Sequence, residues 1–492
     1  MSNISLYVRL SFAFCLCMAV VGEIHAEPTE QDVLAEMRKA SEFMVDEVSL
    51  NGGYLWSYSA DLTRGWGEAM ARPSQIEVHQ TGTPSMGDLF LEVYKVTGDT
   101  YYLHCAEKAA DALIWGQHPT GGWHYFIDFD MSGIKEWYET VASKFLYGME
   151  EYRHFYGNCS FDDGATQQPT LFLLNLYMTT LDPKYRKPLL KALDFFLESQ
   201  FPIGAWPQRY PLKYDFVHDG LADYTSYYTF NDGGMSSNIA VLMKAWEQLG
   251  DEKYLEAARR GMDFYLVAQG PIEQAGWAEQ YTHDMQPAWA RTHEPKAYAS
   301  HTTRSCINDL MRFYRMTGDR RYLRPIPYAL DWLERSAIKV LDDGRSQIAL
   351  YLDVGTNKPM YKHITGEFND EGYGLYKWDN DSTDENYGLS TVDLDALRRA
   401  YDQLNALSPE EVVAGYVARK NAVPRPPNVD TDKVGELVKG LDNRGAWVEE
   451  IQVYGDTNND PAYPWANTKI QGISINSFIR NMRLLNNYVK SR

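Results

Sequence analysis

Cysteine is scarce in this 492-residue chain, with five in all, and two of those, Cys15 and Cys17, fall in the first 26 residues. Cys105, Cys159 and Cys306 remain. Three thiols cannot form a disulfide framework, and their spacing is not that of zinc ligands, so buried free thiols are expected. Positive charge is also short. Lys and Arg total 47 against 67 Asp and Glu, a formal net charge of −20, which excludes a nucleic-acid partner because phosphates demand a basic surface. Long apolar runs are missing too. Leu10–Val21 falls short of the ~20 residues a bilayer span needs, and nothing later reaches that length. With Arg9 before it and Ile24-His25-Ala26 after it, this run reads as a secretory signal over residues 1–26. No lipidation pattern precedes Cys15 or Cys17. The mature chain is expected to begin near Glu27 and to be secreted or periplasmic, without a membrane partner.

What is abundant is aromatic surface: 14% of residues, with 35 Tyr and 13 Trp. Such rings suit either a large core or stacking on sugars. The acidic balance sets a condition on any anionic ligand, which would need a local basic patch, a bridging cation, or both.

The chain is internally repetitive. Four stretches align without gaps: Tyr94, Asp99, Tyr102, Asp111; Tyr177, Asp182, Tyr185, Asp194; Trp246, Asp251, Tyr254, Asp263; and Tyr314, Asp319, Tyr322, Asp331. Each reads as helix, turn, helix. Ile239, Leu242, Met243 and Trp246 form one helical stripe, as do Ile307, Leu310, Met311 and Tyr314. Gly98, Gly250 and Gly318 suit left-handed caps after the first helix, and the following Asp suits the N-cap of the second. Three copies end alike, at Gly122-Trp123, Ala205-Trp206 and Gly276-Trp277, whereas the fourth has Asp343-Gly344-Arg345.

Such hairpins bury a shared core by stacking, closing into a ring or extending as a solenoid. Residues 40–116 suggest a further pair ahead of or overlapping the first copy. Gly366–Gly388 is acidic and poorly periodic and reads as a long loop, and Pro424–Pro427 as a stiff connector. Ile475, Phe478, Ile479, Met482, Leu485 and Val489 mark a final amphipathic helix. The organisation expected is a hairpin domain over 27–420, then a connector and C-terminal extension over 421–492 that packs back with this helix.

Function should sit where the copies differ. Phe161-Asp162-Asp163-Gly164 and Phe230-Asn231-Asp232-Gly233 precede the first helices of copies two and three, and place Asp163 and Asp232 in one register. Gln80 and Ser300 hold that register in copies one and four. The two Asp could cap helices, hold Ca²⁺ through oxygen, or act as acid and base in glycoside hydrolysis. No EF-hand supports a separate calcium site, because Asp384 and Pro461 replace the required glycine in the two suggestive acidic stretches. Gly204–Pro211 packs Trp206, Gln208, Arg209 and Tyr210 together. A third cluster holds Trp277, Gln280 and Tyr281 and continues to Arg291. Both mix rings, amides and a guanidinium suited to acidic sugars.

At these residues the chain resembles the pectic acid lyases, the family-10 polysaccharide lyases. The likeness lies in Asp163-Gly164-Ala165-Thr166, Gly204–Pro211, Tyr228–Gly233, Pro287-Ala288-Trp289-Ala290-Arg291, Gly355-Thr356-Asn357-Lys358-Pro359 and Phe478–Met482. The resemblance implies an all-α fold, repeated hairpins closed into an (α/α) toroid with long irregular loops. It implies β-elimination on a pectate-like uronate polymer with Ca²⁺. Asp163 and Asp232 are then the metal ligands, and Arg291 a substrate-binding arginine. Trp206, Gln208, Tyr210, Asn231, Trp277, Gln280 and Tyr281 are the candidate substrate contacts. One departure stands out: the family carries Ala-Arg-Phe-Tyr where this chain has Ala349-Leu350-Tyr351, and leucine accepts no proton. Arg291, Arg209, Arg304 and His301 are the candidate catalytic residues in its place, with Arg345 and Tyr351 also near in sequence. The expectation is a monomeric polysaccharide lyase acting on an acidic polysaccharide. A hydrolase on the same ring and a non-catalytic glycan-binding protein are the rivals.

Overall fold

A computed structural model describes residues 27–142, 155, 157–213, 223–291, 293–368, 374–381, 388–423, 429–454 and 467–492. The expected signal segment and Pro424–Pro427 connector and the Asp384 and Asp456–Pro461 positions lie outside these residues, as does part of Gly366–Gly388.

The four aligned copies are helical hairpins: α2 (Thr83–Thr97) with α3 (Thr100–Trp115), α4 (Gln167–Thr180) with α5 (Pro183–Glu198), α6 (Gly234–Leu249) with α7 (Glu252–Ala268), and α8 (Ser300–Thr317) with α9 (Ile326–Arg335). α1 (Glu30–Phe43) comes before them. α10 (Leu394–Asn405), α11 (Pro409–Lys420), α12 (Thr431–Lys439) and α13 (Ile475–Ser491) follow. The turn chemistry is as expected. Asp99, Asp182, Asp251 and Asp319 each accept the backbone N–H two residues on, at 2.8–3.1 Å, satisfying a donor that the new helix leaves unpaired. Gly98, Gly250 and Gly318 take φ of 70°, 74° and 70°. In copy two Leu181 adopts the same left-handed conformation at φ 53°, which its β-carbon resists.

First helices pack side by side, α2 on α4, α4 on α6 and α8 on α11, and the final helix α13 packs on both α2 and α1. The two ends of the described chain thus meet, and the second helices form an outer layer, the arrangement of an (α/α) toroid. The apolar stripe of α13 is buried in full. The indole N–H groups of Trp123, Trp206 and Trp277 donate to Leu113, Phe196 and Tyr265 carbonyls at 2.8–3.0 Å. Trp447 does the same to Leu437 after α12. A further unit of the frame therefore lies in 430–447, where the Tyr/Asp pattern is lost and the sequence reading found only an extension. Cys105, Cys159 and Cys306 are free and buried, as expected.

The expectation of irregular loops needs one correction. Residues 337–392 are rich in strands, and Gly366–Gly388 is not one long loop. Ala297–Ala299 (β1), Tyr351–Asp353 (β2), Pro359–Phe368 (β3) and Gly374–Asp379 (β4) form an antiparallel sheet in the order β4-β3-β2-β1. Short strands made from Tyr, Trp and Val at the ends of hairpins carry no helical period, and a window tuned to that period passes over them. Among the described residues no helix is long and apolar enough to cross a membrane.

Candidate active site

The site lies at the mouth of the ring, where each hairpin's end runs beside the lead-in to the next. Backbone N–H groups of Ser160, Thr229 and Ala299 donate to Trp123, Trp206 and Trp277 carbonyls. On the other side, Val78, Phe161, Phe230 and Ser300 donate to Tyr125, Gln208, Glu279 and Leu350 carbonyls. These pairings fix which residues correspond in space. Tyr125, Gln208, Glu279 and Leu350 are counterparts. So are His79, Asp162, Asn231 and His301, each one residue past its donor. The sequence alignment set Ser300 opposite Asp163 and Asp232. The hydrogen bonds correct this, because α8 starts directly at Ser300, whereas copies two and three insert a short turn before their helices.

That turn explains the Asp-Gly pair. Asp163 and Asp232 both have φ 47°, and Gly164 and Gly233 have φ 77° and 69°. Two successive left-handed residues are what Asp-Gly tolerates best. Neither Asp caps the following helix. Neither carboxylate is therefore tied up in a helix cap, which removes the capping alternative.

Arg291 sits at the centre, almost fully buried. Its Nη2 pairs with Asp162, and its Nη1 donates to Asp232 at 2.9 Å and to Glu294 at 3.1 Å. Asp162 Oδ2 also accepts from Tyr125 Oη at 2.5 Å and Gln208 Nε2 at 3.1 Å. Asn231 Nδ2 donates to Glu294 at 2.6 Å. Burial would raise the Asp162 carboxyl, but the Arg291 charge and these hydrogen bonds outweigh it and hold Asp162 ionised, well below the usual range. The remaining acids move the other way. Burial and then the Asp162 charge raise Asp232, with Arg291 only partly offsetting them. Burial and the charges of Asp162 and Glu68 raise Asp163 to about 6, although its outer surface is open to solvent. Burial raises Glu294 to about 7 against the pull of Arg291. One guanidinium is thus shared among more carboxylates than it can neutralise.

Beside this cluster lies a cavity of about 650 Å³ lined by Asn231, Asp232, Arg291, His293, Glu294, His301, Glu279 and Tyr351, among others. His301 Nε2 meets Glu279 Oε1 at 2.6 Å, and Tyr351 Oη donates to Glu279 Oε2 at 2.9 Å. His301 Nδ1 is buried and has no hydrogen-bond partner among the described residues. His79, whose charge is felt at Asp163, contacts Glu77 at 2.9 Å and Glu68 at 3.5 Å. Burial disfavours its charge, but these acids outweigh burial and keep it protonated.

Of the four candidate catalytic residues, Arg291 and His301 line the cavity and Arg209 and Arg304 do not. Arg209 is buried, with Nε donating to Asn158. Arg291 is held by three carboxylates that stabilise its cation, a poor setting for a proton acceptor. Among the substrate contacts, Asn231 lines the cavity. Trp206, Trp277 and Tyr281 are at most 2% exposed and are corrected to core residues, since no ring face is open to a sugar. Gln208 is buried and positions Asp162, and Gln280 is buried outside the cavity. Tyr210 packs edge-on against Phe195. Tyr351, named as a possible replacement for the missing arginine, lines the cavity. Asp162, Glu279, Glu294 and Tyr125 were missed. The signal that could have found Tyr125 and Glu279 was present: like Gln208, each lies two residues after the repeated Trp.

Calcium takes several hard oxygen ligands. No group of three or more His, Cys, Asp or Glu side chains among the described residues is arranged to hold a metal unaided. The donor chemistry nevertheless fits such a cation in part. Among the described residues Asp162 Oδ1 is buried without a hydrogen-bond partner, and the raised Asp163 and Asp232 carboxyls would be relieved by positive charge.

Among solved structures, the chain is similar to a family 10 polysaccharide lyase from Cellvibrio cellulosa at 20% identity, covering 69% of this chain and 96% of that one with a TM-score of 0.39. A mutant of the Cellvibrio enzyme, in complex with trigalacturonic acid, matches at 19% identity over 69% and 99%, TM-score 0.38. A GH76 α-mannanase from Bacteroides thetaiotaomicron matches at 11% identity over 94% and 97%, TM-score 0.39. No curated protein matches. Residues 147–349 match the model of the pectic acid lyase family, a span that holds Asp162, Asp163, Asp232, Arg291 and His301 and ends one residue before Leu350, and this match supports a polysaccharide-degrading enzyme of the lyase kind.

Proposed function

We propose that this protein is an exported polysaccharide lyase that cleaves a uronate-containing, pectate-like polymer by calcium-assisted β-elimination. The observation that carries the proposal is the excess of carboxylates around Arg291, at the edge of a cavity within the segment that matches the pectic acid lyases. An anionic sugar is repelled by such a centre unless a divalent cation joins the two. Asp163 and Asp232 would hold that cation. Bound there, calcium would draw charge from the uronate carboxylate and make the C5 proton more acidic.

His301 is the proton acceptor in this reading. Its Nδ1 is buried, so the accepting end is the Nε2 edge that meets Glu279 at 2.6 Å. The C5 proton passes to His301, the C5–H electrons form the C4=C5 double bond, and the C4–O bond breaks. The departing oxygen takes a proton from solvent. Arg291 keeps Asp162 and Asp232 in place.

Mixing the protein with polygalacturonate and calcium should raise ultraviolet absorbance from the unsaturated product, and EDTA should stop it. His301→Ala should lower kcat by roughly 10²–10⁴-fold. Reducing ends without absorbance, undiminished by EDTA, would instead favour hydrolysis with the raised Asp232 as acid.

A further inference from the structure

Leu350 breaks the pattern of its counterparts. Tyr125, Gln208 and Glu279 each send a polar group into the mouth, whereas Leu350 joins an apolar cluster with Tyr351, Met360 and Trp378. This wall of the mouth belongs to the sheet β4-β3-β2-β1, and its register decides what else it displays. Tyr351 pairs with Met360, and Lys362 with Trp378. Directly paired residues share a face, and so do residues two apart. Tyr351, Met360, Lys362 and Trp378 therefore stand on one face. It is the face turned to the cavity, because Tyr351 lines the cavity and its ring meets His301 at 5.5 Å. The Trp378 ring meets Tyr351 at 5.0 Å, edge-on. Lys362 is partly buried, and its charge is felt at His293, another lining residue.

We infer that Lys362 and Trp378 form a subsite for one acidic sugar of the chain, next to the sugar at Asp163 and Asp232. Lys362 pairs with its carboxylate, and Trp378 offers an aromatic edge and face to its ring. The inference rests on the uronate reading above. It adds that the side of the mouth beyond His301 recognises the carboxylate directly with a side-chain cation, whereas the Asp163 side needs calcium for the same task. Burial lowers the Lys362 amine from its usual range.

Steady-state kinetics on polygalacturonate with calcium test this, alongside calorimetric binding of a galacturonate oligomer and of a neutral galactose oligomer. Lys362→Ala should raise KM ~10-fold while kcat stays within ~2-fold, the loss expected for one charge-assisted contact. Lys362→Arg should restore KM. Trp378→Ala should raise KM as well, and the acidic oligomer should outbind the neutral one only when Lys362 or Arg is present. Matching melting temperatures establish that the variants are folded. An unchanged KM in Lys362→Ala, or a fall in kcat at constant KM, overturns the subsite while leaving the lyase reading in place. Wild-type protein that neither binds nor cleaves the acidic chain overturns both.

Discussion

The outer seam and the inner mouth of the ring are built from the same repeat, yet they treat it in opposite ways. Along the seam every copy makes one contact: Lys184 reaches Asp111, Lys253 reaches Asp194, Arg321 reaches Asp263 and Arg398 reaches Asp331. The amides of Gln117, Gln200 and Gln269 likewise donate to Pro188, Ala257 and Pro325 carbonyls of the following hairpin. At the mouth, corresponding positions hold Tyr125, Gln208, Glu279 and Leu350, and beside them His79, Asp162, Asn231 and His301. A stacking contact must be the same each time for the ring to close. A reaction needs unlike groups around one point, so divergence among equivalents marks the site.

The sharpest way to break this comparison is at Arg291. Replacing it with Met leaves the buried Asp162 and Glu294 without their counter-charge. A loss of about 3–5 kcal/mol is expected for an orphaned buried partner, read from urea unfolding, together with loss of turnover. Adding Asp162→Asn should recover part of the stability and none of the activity. A single variant that unfolds like wild type would mean that the mouth, like the seam, is merely a solvated network.

The seam was legible in the sequence and most of the mouth was not. The four Asp caps, the glycine turns and the stripe of α13 follow from local rules that act within a few residues. Asp163 and Asp232 were found because they are exceptions in an alignment that the helices keep in register. Glu279 and Glu294 lie in segments without helical period, and their roles depend on which strand lies beside which. Ser300 shows the limit most clearly: the helix alignment paired it with Asp163, and only the strand pairing shows that His301 is the counterpart of Asp162. Aromatic richness misled at Trp206 and Trp277, whose indoles bind backbone carbonyls of the frame.

A milder perturbation is pH, which acts on the mouth and spares the seam. Asp163 is raised to about 6 and Glu294 to about 7, so the folded state holds protons that the unfolded chain releases near about 4. The stabilisation this gives is fully present below that unfolded value and is lost as pH rises through about 6 and then about 7. In EDTA the melting temperature should therefore fall between about pH 5 and about pH 8. Calcium should restore it at the upper end and do little at the lower, where protons occupy the same oxygens. Asp163→Asn should flatten the first part of the fall and abolish the calcium effect. A melting profile that calcium leaves unchanged at pH 8 would separate these carboxylates from any cation.

The smallest expected effect belongs to the seam. Asp194 and Lys253 are both about half exposed, so water and salt screen the pair. Asp194→Ala should cost no more than about 1 kcal/mol, shrinking further in high salt. Activity should be unchanged, since nothing at the mouth depends on this pair. Repetition nevertheless makes the effect worth measuring. Removing Asp111, Asp194 and Asp263 together tests whether identical weak contacts in a closed ring add or couple. Additive losses would make the seam a set of independent solvated pairs. A loss well above the sum would mean that ring closure ties the copies together, and that the frame holding the unlike groups of the mouth in place is cooperative.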